Sequence, residues 1–245
     1  GRGELLTFGG QVMKNVAGYD VSRLVAGAWG TLGLLTEVSL KVLPVAPAEA
    51  TLRFECNQAD ALRKLHAWGG QPLPLNASCW VEDAGVGQLY VRLRGAVAAV
   101  DAACKSMGGT RLDNATAAPD WQACREQTLP WFAARLARPG QALWRLSLPA
   151  TAPVLALPGG VSPLVEWHGA LRWVQAPLAH GDVLREAARA VGGSASLFIA
   201  DGAGEERAGG QFDLKSAALE QIHARLKHSF DPAGIFNPGR MAPQW

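Results

Sequence analysis

Between residues 51 and 113 the apolar pattern switches back and forth between a period of two and a period of 3.6, and this constrains the fold more than any other feature of the chain. Residues 51–56 alternate, with Leu52, Phe54 and Cys56 on one face, and residues 59–68 follow as an amphipathic helix with Leu62 and Leu65 inward. Two more alternating runs, residues 76–82 and 88–94, flank Asp83-Ala84-Gly85-Val86-Gly87, which suits a hairpin loop. A helix over residues 97–107 ends at Gly108-Gly109 and leads into a short strand at 110–113. The order is βαββαβ.

That order is the split unit of the ferredoxin-like fold. Part of it recurs: a strand at 143–148, a hairpin of 164–168 and 171–175 about Gly169-Ala170, a helix at 183–191 and a strand at 196–200. The first helix of this second pass is missing, replaced by Thr151-Ala152-Pro153-Val154-Leu155-Ala156-Leu157-Pro158-Gly159-Gly160. A connecting helix spans 119–136, interrupted or restarted at Pro130. The expected class is α+β, with two side-by-side copies of the unit related by pattern and not by sequence identity. Trp80, Trp144, Trp167 and Trp173 fall in these strands and are expected in the core.

Pro44 and Pro47 mark a linker, with a domain boundary near Ala48. Ahead of it, residues 5–8 are expected as a strand closed by Gly9-Gly10. Asp20 stands as the N-cap of a short helix at 21–25, which Gly27 ends. Val38, Leu40 and Val42 then alternate with Glu37, Ser39 and Lys41 as a second strand. Residues 9–36 hold six glycines. In Gly30-Thr31-Leu32-Gly33 they permit either tight turns or a close backbone approach to a phosphate or heterocycle edge. At the other end, residues 201–210 form a charged, glycine-rich loop. A last helix spans 214–230, with Leu219, Ile222 and Leu226 as its apolar stripe and Lys215, Glu220, Arg225 and Lys227 opposed. It closes on FDPAGIFNPGRM, whose two Asx-Pro dipeptides specify consecutive rigid turns.

A net charge of +2 without a block of Lys or Arg gives no footprint for nucleic acid. No apolar run approaches the ~20 residues of a membrane-spanning helix. The four cysteines, Cys56, Cys79, Cys104 and Cys124, form no C-x-x-C pair, and the five histidines show no metal-ligand spacing, so buried free thiols and no metal are expected. The chain begins at Gly1 with a segment that looks like part of a sheet, and an N-terminal part of the natural protein is expected to be absent.

The run from Lys14 to Pro44, KNVAGYDVSRLVAGAWGTLGLLTEVSLKVLP, together with FDPAGIFNPGRM, resembles the FAD-linked oxidases of the vanillyl-alcohol oxidase, or PCMH, type. Within them it is most similar to the FAD-binding E subunits of bacterial glycolate oxidases. The resemblance implies that residues 1–47 are the C-terminal part of a PCMH-type FAD-binding domain, that 48–229 form a ferredoxin-like cap, and that 230–245 turn back toward the flavin. It implies FAD as cofactor. Gly27, Gly30, Thr31, Gly33 and Leu34 match the turn whose backbone meets the adenosine and pyrophosphate. Lys14, Asn15, Gly18, Tyr19 and Asp20 match the segment lining the cleft, and Asn237 and Arg240 match the motif near the isoalloxazine. The corresponding structural roles are Asp20 as cap, Tyr19 as core and Arg240 as surface charge.

The family's substrate-oxidising members carry clustered histidines and a glutamate in the cap. Here Glu205, Glu206 and Arg207 sit in a glycine loop with no histidine beside them, so no catalytic residue is assigned. The expected role is an FAD-binding subunit of a complex oxidising glycolate and D-lactate. Electrons would pass to an iron–sulfur subunit while another flavin subunit acts on the small 2-hydroxy acid. The expected location is cytoplasmic, with docking at the inner membrane through partner subunits left open. The alternatives are a self-sufficient FAD-dependent dehydrogenase using His168 or His180 as base, and a scaffold without flavin.

Overall fold

The computed structural model describes residues 1, 3–9, 19–200, 212–213 and 216–242. Along the chain the helices and strands are α1 (Tyr19–Val25), β1 (Ala48–Glu55), α2 (Gln58–Gly69), β2 (Leu75–Asp83), β3 (Val86–Gly95), α3 (Val97–Met107), β4 (Thr110–Leu112), α4 (Asn114–Glu126), α5 (Pro130–Ala133), β5 (Gln141–Ser147), β6 (Leu164–Glu166), β7 (Leu171–Pro177), α6 (Gly181–Ala190), β8 (Ser194–Ile199) and α7 (Ala217–Phe230). Contacts divide the chain into residues 1–42 with 204–245, and residues 43–203. The helix α7 therefore groups with the glycine-rich segment, whereas the resemblance implies a cap that runs to residue 229.

The unit 43–203 is one antiparallel sheet in the order β4-β1-β3-β2-β6-β7-β5-β8. Read inward from its own outer edge, each half follows the order 4-1-3-2, and the halves meet where Cys79 pairs with Glu166 and Trp80 with Val165. On one face Leu52, Leu89, Val91 and Leu93 pack under Leu62, Leu65 and Trp68 of α2 and Val100 of α3. Asn57 Oδ1 caps α2 by accepting from Asp60 N at 2.9 Å, a contact worth about 1 kcal/mol. On the same face of the second half, Trp144, Leu146, Val174 and Leu197 pack under Leu184 and Ala188 of α6. The other face holds Cys79, Leu143, Leu164 and Trp173 beneath Cys124 of α4 and Phe132 of α5.

The missing helix of the second half has a substitute. Arg172 is 1% exposed and pairs in register with Val165 and Leu146, on the helix-covered face. Its Nη1 donates to Pro153 O at 2.6 Å and its Nη2 to Ala152 O at 2.7 Å. This segment, rich in proline and glycine, makes no α-helix and only a short 3-10 turn at Pro158–Gly160, so the carbonyls of Ala152 and Pro153 need donors from elsewhere. Burial pushes the Arg172 guanidinium down to about 10, which leaves it charged at neutral pH.

Several expectations are corrected. The helix α4 begins five residues before Pro119, because Asp113 Oδ2 accepts from Thr116 N at 3.0 Å and sets the start, and Pro119 lies inside the helix. Trp80, Trp144 and Trp173 are buried, but Trp167 is 65% exposed. The strand β6 stops at Glu166, and Trp167, His168 and Gly169 all take positive φ in the turn to β7. That turn is pinned by His168 N, which donates to Ser78 Oγ at 2.9 Å. All four cysteines are free thiols, with Cys79 and Cys124 buried and Cys56 and Cys104 half-buried.

In the unit of residues 1–42 and 204–245, α1 runs Tyr19–Val25, so the backbone of Asp20 lies within the helix and not at the position before it. Residues 5–8 and 34–42 do not form the expected strands. Leu5 is 86% and Val42 82% exposed, and no described strand pairs with either segment. An alternating sequence becomes a strand only where a neighbour takes up its N–H and C=O groups. The helix α7 also departs from its expected polarity. Leu219 and Ile222 are exposed, and the buried residue is Lys227, 6% exposed. The reason lies in the site.

Candidate functional site

Lys227 emerges from the last turn of α7 into three acceptors. Its Nζ donates to Thr31 O at 2.8 Å, to Phe236 O at 2.7 Å and to Asp231 Oδ2 at 2.6 Å. An ammonium has three donors, so this one is saturated. Its burial is tolerable because a carboxylate one helical turn on balances the charge. Asp231 Oδ2 also accepts from Phe236 N at 2.8 Å, so both backbone groups of Phe236 are held, one by each member of the ion pair. Turns close at Gly234 N to Asp231 O, 3.1 Å, and at Arg240 N to Asn237 O, 3.2 Å.

The glycine-rich turn meets these residues from the other end of the unit. Asn237, at φ +42, donates through Nδ2 to Trp29 O at 2.9 Å. Gly30 lies beneath that amide at φ +70, and a Cβ there would stand 2.7 Å from Asn237 Nδ2. Glycine is therefore required at Gly30 twice over, by conformation and by space. Thr31 is buried, and its Oγ1 donates to Ala28 O at 2.7 Å and lies 3.7 Å from Met241 Sδ. The Arg240 guanidinium sits 5.1 Å from the Trp29 ring centroid, a cation–π arrangement, and Trp29 packs against Phe212 at 5.6 Å. Gly33 differs from Gly30. Its φ is not positive and no described atom lies within 4 Å of where its Cβ would be, while Leu34 beside it is 78% exposed.

Of the sequence-derived candidates, Gly27, Gly30, Thr31, Gly33, Leu34, Asn237 and Arg240 thus fall in two adjoining turns. Tyr19 and Asp20 open α1, and Lys14, Asn15 and Gly18 lie outside the described residues. Sequence reasoning missed Lys227 and Asp231. Their i, i+4 spacing across the helix end was available as a signal, but it is also the pattern of an ordinary solvated pair.

Burial pushes the Asp231 carboxyl up, but the Lys227 ammonium and the N–H groups of Phe236 and Ile235 outweigh it and hold the group well below the usual carboxylate range. A carboxyl depressed in the folded state stabilises above its unfolded pKa, about 3.9, and loses that contribution as pH falls toward the folded value. Acid titration followed by Trp29 emission is therefore expected to show this unit loosening below about pH 4, and Asp231→Asn is expected to remove the acid-dependent step. A pH-independent signal between 5 and 2 in the parent would contradict it.

In the other unit, His168 has its pKa lowered by burial, and its Nδ1 has no hydrogen-bond partner. Cys124 Sγ donates to Glu166 Oε1 at 3.0 Å and Trp173 Nε1 to Glu166 Oε2 at 2.6 Å, which seats a carboxylate at the seam between the sheet halves. The hydrogen bond with Cys79, then burial and the neighbouring Glu166 carboxylate, push the Cys124 thiol far up, so it stays protonated. Among the described residues, no group of three or more His, Cys, Asp or Glu is placed to hold a metal ion.

No known family profile matches the chain. Individual proteins do. The chain is 44% identical over 98% of its length to glycolate oxidase subunit GlcE of Escherichia coli, of which it covers 62%. A shorter match of 59 residues, 44% identical, relates 24% of the chain to 13% of glycolate oxidase subunit GlcD of Bacillus subtilis. A 50-residue match at 40% identity relates 20% of it to 10% of a D-lactate dehydrogenase of Anaerostipes hadrus. The chain spans somewhat under two thirds of the E subunit that it matches along nearly all of its own length, and along that length it is similar to that subunit.

Proposed function

We propose that this chain is part of the FAD-binding subunit of a complex that oxidises glycolate and, by the same chemistry at the 2-hydroxyl carbon, D-lactate. The observation that supports this best is the junction of Gly30 with Asn237 in a chain 44% identical to an E subunit. Two segments about 200 residues apart converge on one turn, and beside them no described atom lies within 4 Å of the Gly33 Cβ position. Both features fit a dinucleotide approached by backbone N–H groups. On this reading residues 27–34 meet the adenosine and pyrophosphate, Asn237 and Arg240 border the isoalloxazine, and Lys14, Asn15, Gly18, Tyr19 and Asp20 line the cleft. When bound, FAD supplies a two-electron acceptor. The chain's own contribution is positional: Asn237 offers an amide to a flavin edge, and Arg240 offers a cation held in place by Trp29.

We assign the sheet unit to a ferredoxin-like cap beginning at Ala48, on the repeated 4-1-3-2 strand order. The remainder of the chain we assign to the PCMH-type flavin domain, with residues 230–245 returning to the cofactor. Substrate oxidation is assigned to a second flavin subunit, and onward transfer to an iron–sulfur subunit. Among the described residues, no helix is long and apolar enough to cross a membrane, so any membrane contact by a helical span would come through partners or through residues not described. The natural full-length protein, co-expressed with its complex, should carry FAD, and the isolated subunit should fail to bleach its flavin anaerobically with glycolate. Bleaching in isolation would favour a self-sufficient dehydrogenase with His168 or His180 as base. An assembled complex with no flavin on this subunit would favour a scaffold.

A further inference from the structure

We propose, resting on the flavin reading above, that Lys227 is a positioning residue that couples cofactor occupancy of the glycine-rich turn to the placement of Asn237. Lys227 cannot itself serve as a ligand contact, because all three of its donors are committed to Thr31 O, Phe236 O and Asp231 Oδ2. What those commitments hold is informative. Thr31 ends the turn that contains Gly30, and Phe236 immediately precedes Asn237. Asn237 Nδ2 then reaches back to Trp29 O, two residues before Thr31. The atoms form a closed ring: Lys227 to Thr31, along the backbone to Trp29, across to Asn237, back through Phe236 to Lys227. Asp231 locks the ring by gripping Phe236 N and the ammonium with one oxygen.

A ring closed by one saturated cation has few independent ways to deform. Moving the backbone of residues 29–31 on binding moves Thr31 O, and through Lys227 it moves Phe236 and the amide that follows. Coupling of this kind is reciprocal, so a ligand that orders the glycine turn also orders residues 235–240, and fixing the latter tightens the ligand.

The test uses the natural full-length protein in its complex, with Lys227→Gln as the main variant and Lys227→Arg as the conservative one. Far-UV circular dichroism establishes folding, and Asp231→Asn provides a second way to open the ring should Lys227→Gln not fold. FAD affinity of the Gln variant is expected to fall at least tenfold. The flavin bound at saturating FAD is expected to show a shifted visible spectrum, because the amide beside it has moved, and the Arg variant should recover part of both. Hydrogen exchange supplies the reciprocal arm: FAD should protect amides 235–240 in the parent and not in the Gln variant. Unchanged FAD affinity, spectrum and FAD-dependent protection in a folded Gln variant would overturn the proposal while leaving the flavin reading in place. A parent complex in which this subunit binds no FAD would overturn both.

Discussion

A Gly30→Val protein is expected to leave purification without flavin. Valine at φ +70 costs about 1–2 kcal/mol in backbone strain. Its Cβ would also displace the Asn237 amide from Trp29 O, losing a hydrogen bond of about 1 kcal/mol. If that penalty of about 2–3 kcal/mol falls on the conformation that receives the cofactor, affinity drops roughly 30- to 150-fold. The unit 43–203 should melt unchanged, since its core is formed by its own residues. Gly33→Ala is the informative companion. Within the described residues nothing crowds its Cβ and its φ is ordinary, so the turn should keep its fold. Loss of flavin from Gly33→Ala would then mark direct approach by the cofactor, and retention in both variants would contradict the placement of the site.

The second large effect concerns stability. Trp144 is 2% exposed, donates from Nε1 to Ala176 O at 3.2 Å and fills the space above Gly181, where a Cβ would stand 2.6 Å from its ring. Trp144→Ala is expected to cost about 3–5 kcal/mol, from lost burial plus a cavity that the neighbouring strands cannot close. Total stability in domains of this size is about 5–15 kcal/mol, so the sheet unit should lose about a fifth or more of its margin. Urea unfolding followed by far-UV circular dichroism measures this, and a change under 1 kcal/mol would show that α6 does not depend on Trp144.

Unit 43–203 was legible because local periodicity and tertiary packing agree there. Leu52, Leu62 and Leu65 fall on buried faces at the positions their spacing dictates. Where the outcome depended on a distant partner, the pattern misled. Val38, Leu40 and Val42 alternate as a strand should, yet pairing is a property of two segments and one segment cannot announce it. Lys227 fails for a related reason. Its sequence context assigns a solvated face, and its burial depends on the Asp231 carboxylate together with the carbonyls of Thr31 and Phe236, the first of them 196 residues away. Arg172 is a third case, since the carbonyls of Ala152 and Pro153 that it satisfies are free because no α-helix forms at 151–160. At the site, the glycines and the Asn237 motif were visible as residues, and their meeting at Gly30 was not.

The most direct measurement is the flavin content of the natural full-length subunit, separated under native conditions from a complex assembled in cells and then denatured to release its cofactor. Stoichiometric FAD on this subunit, reduced to a trace by Gly30→Val, is the expected result. An intact, folded subunit free of flavin, in a complex that still oxidises glycolate, would contradict the assignment.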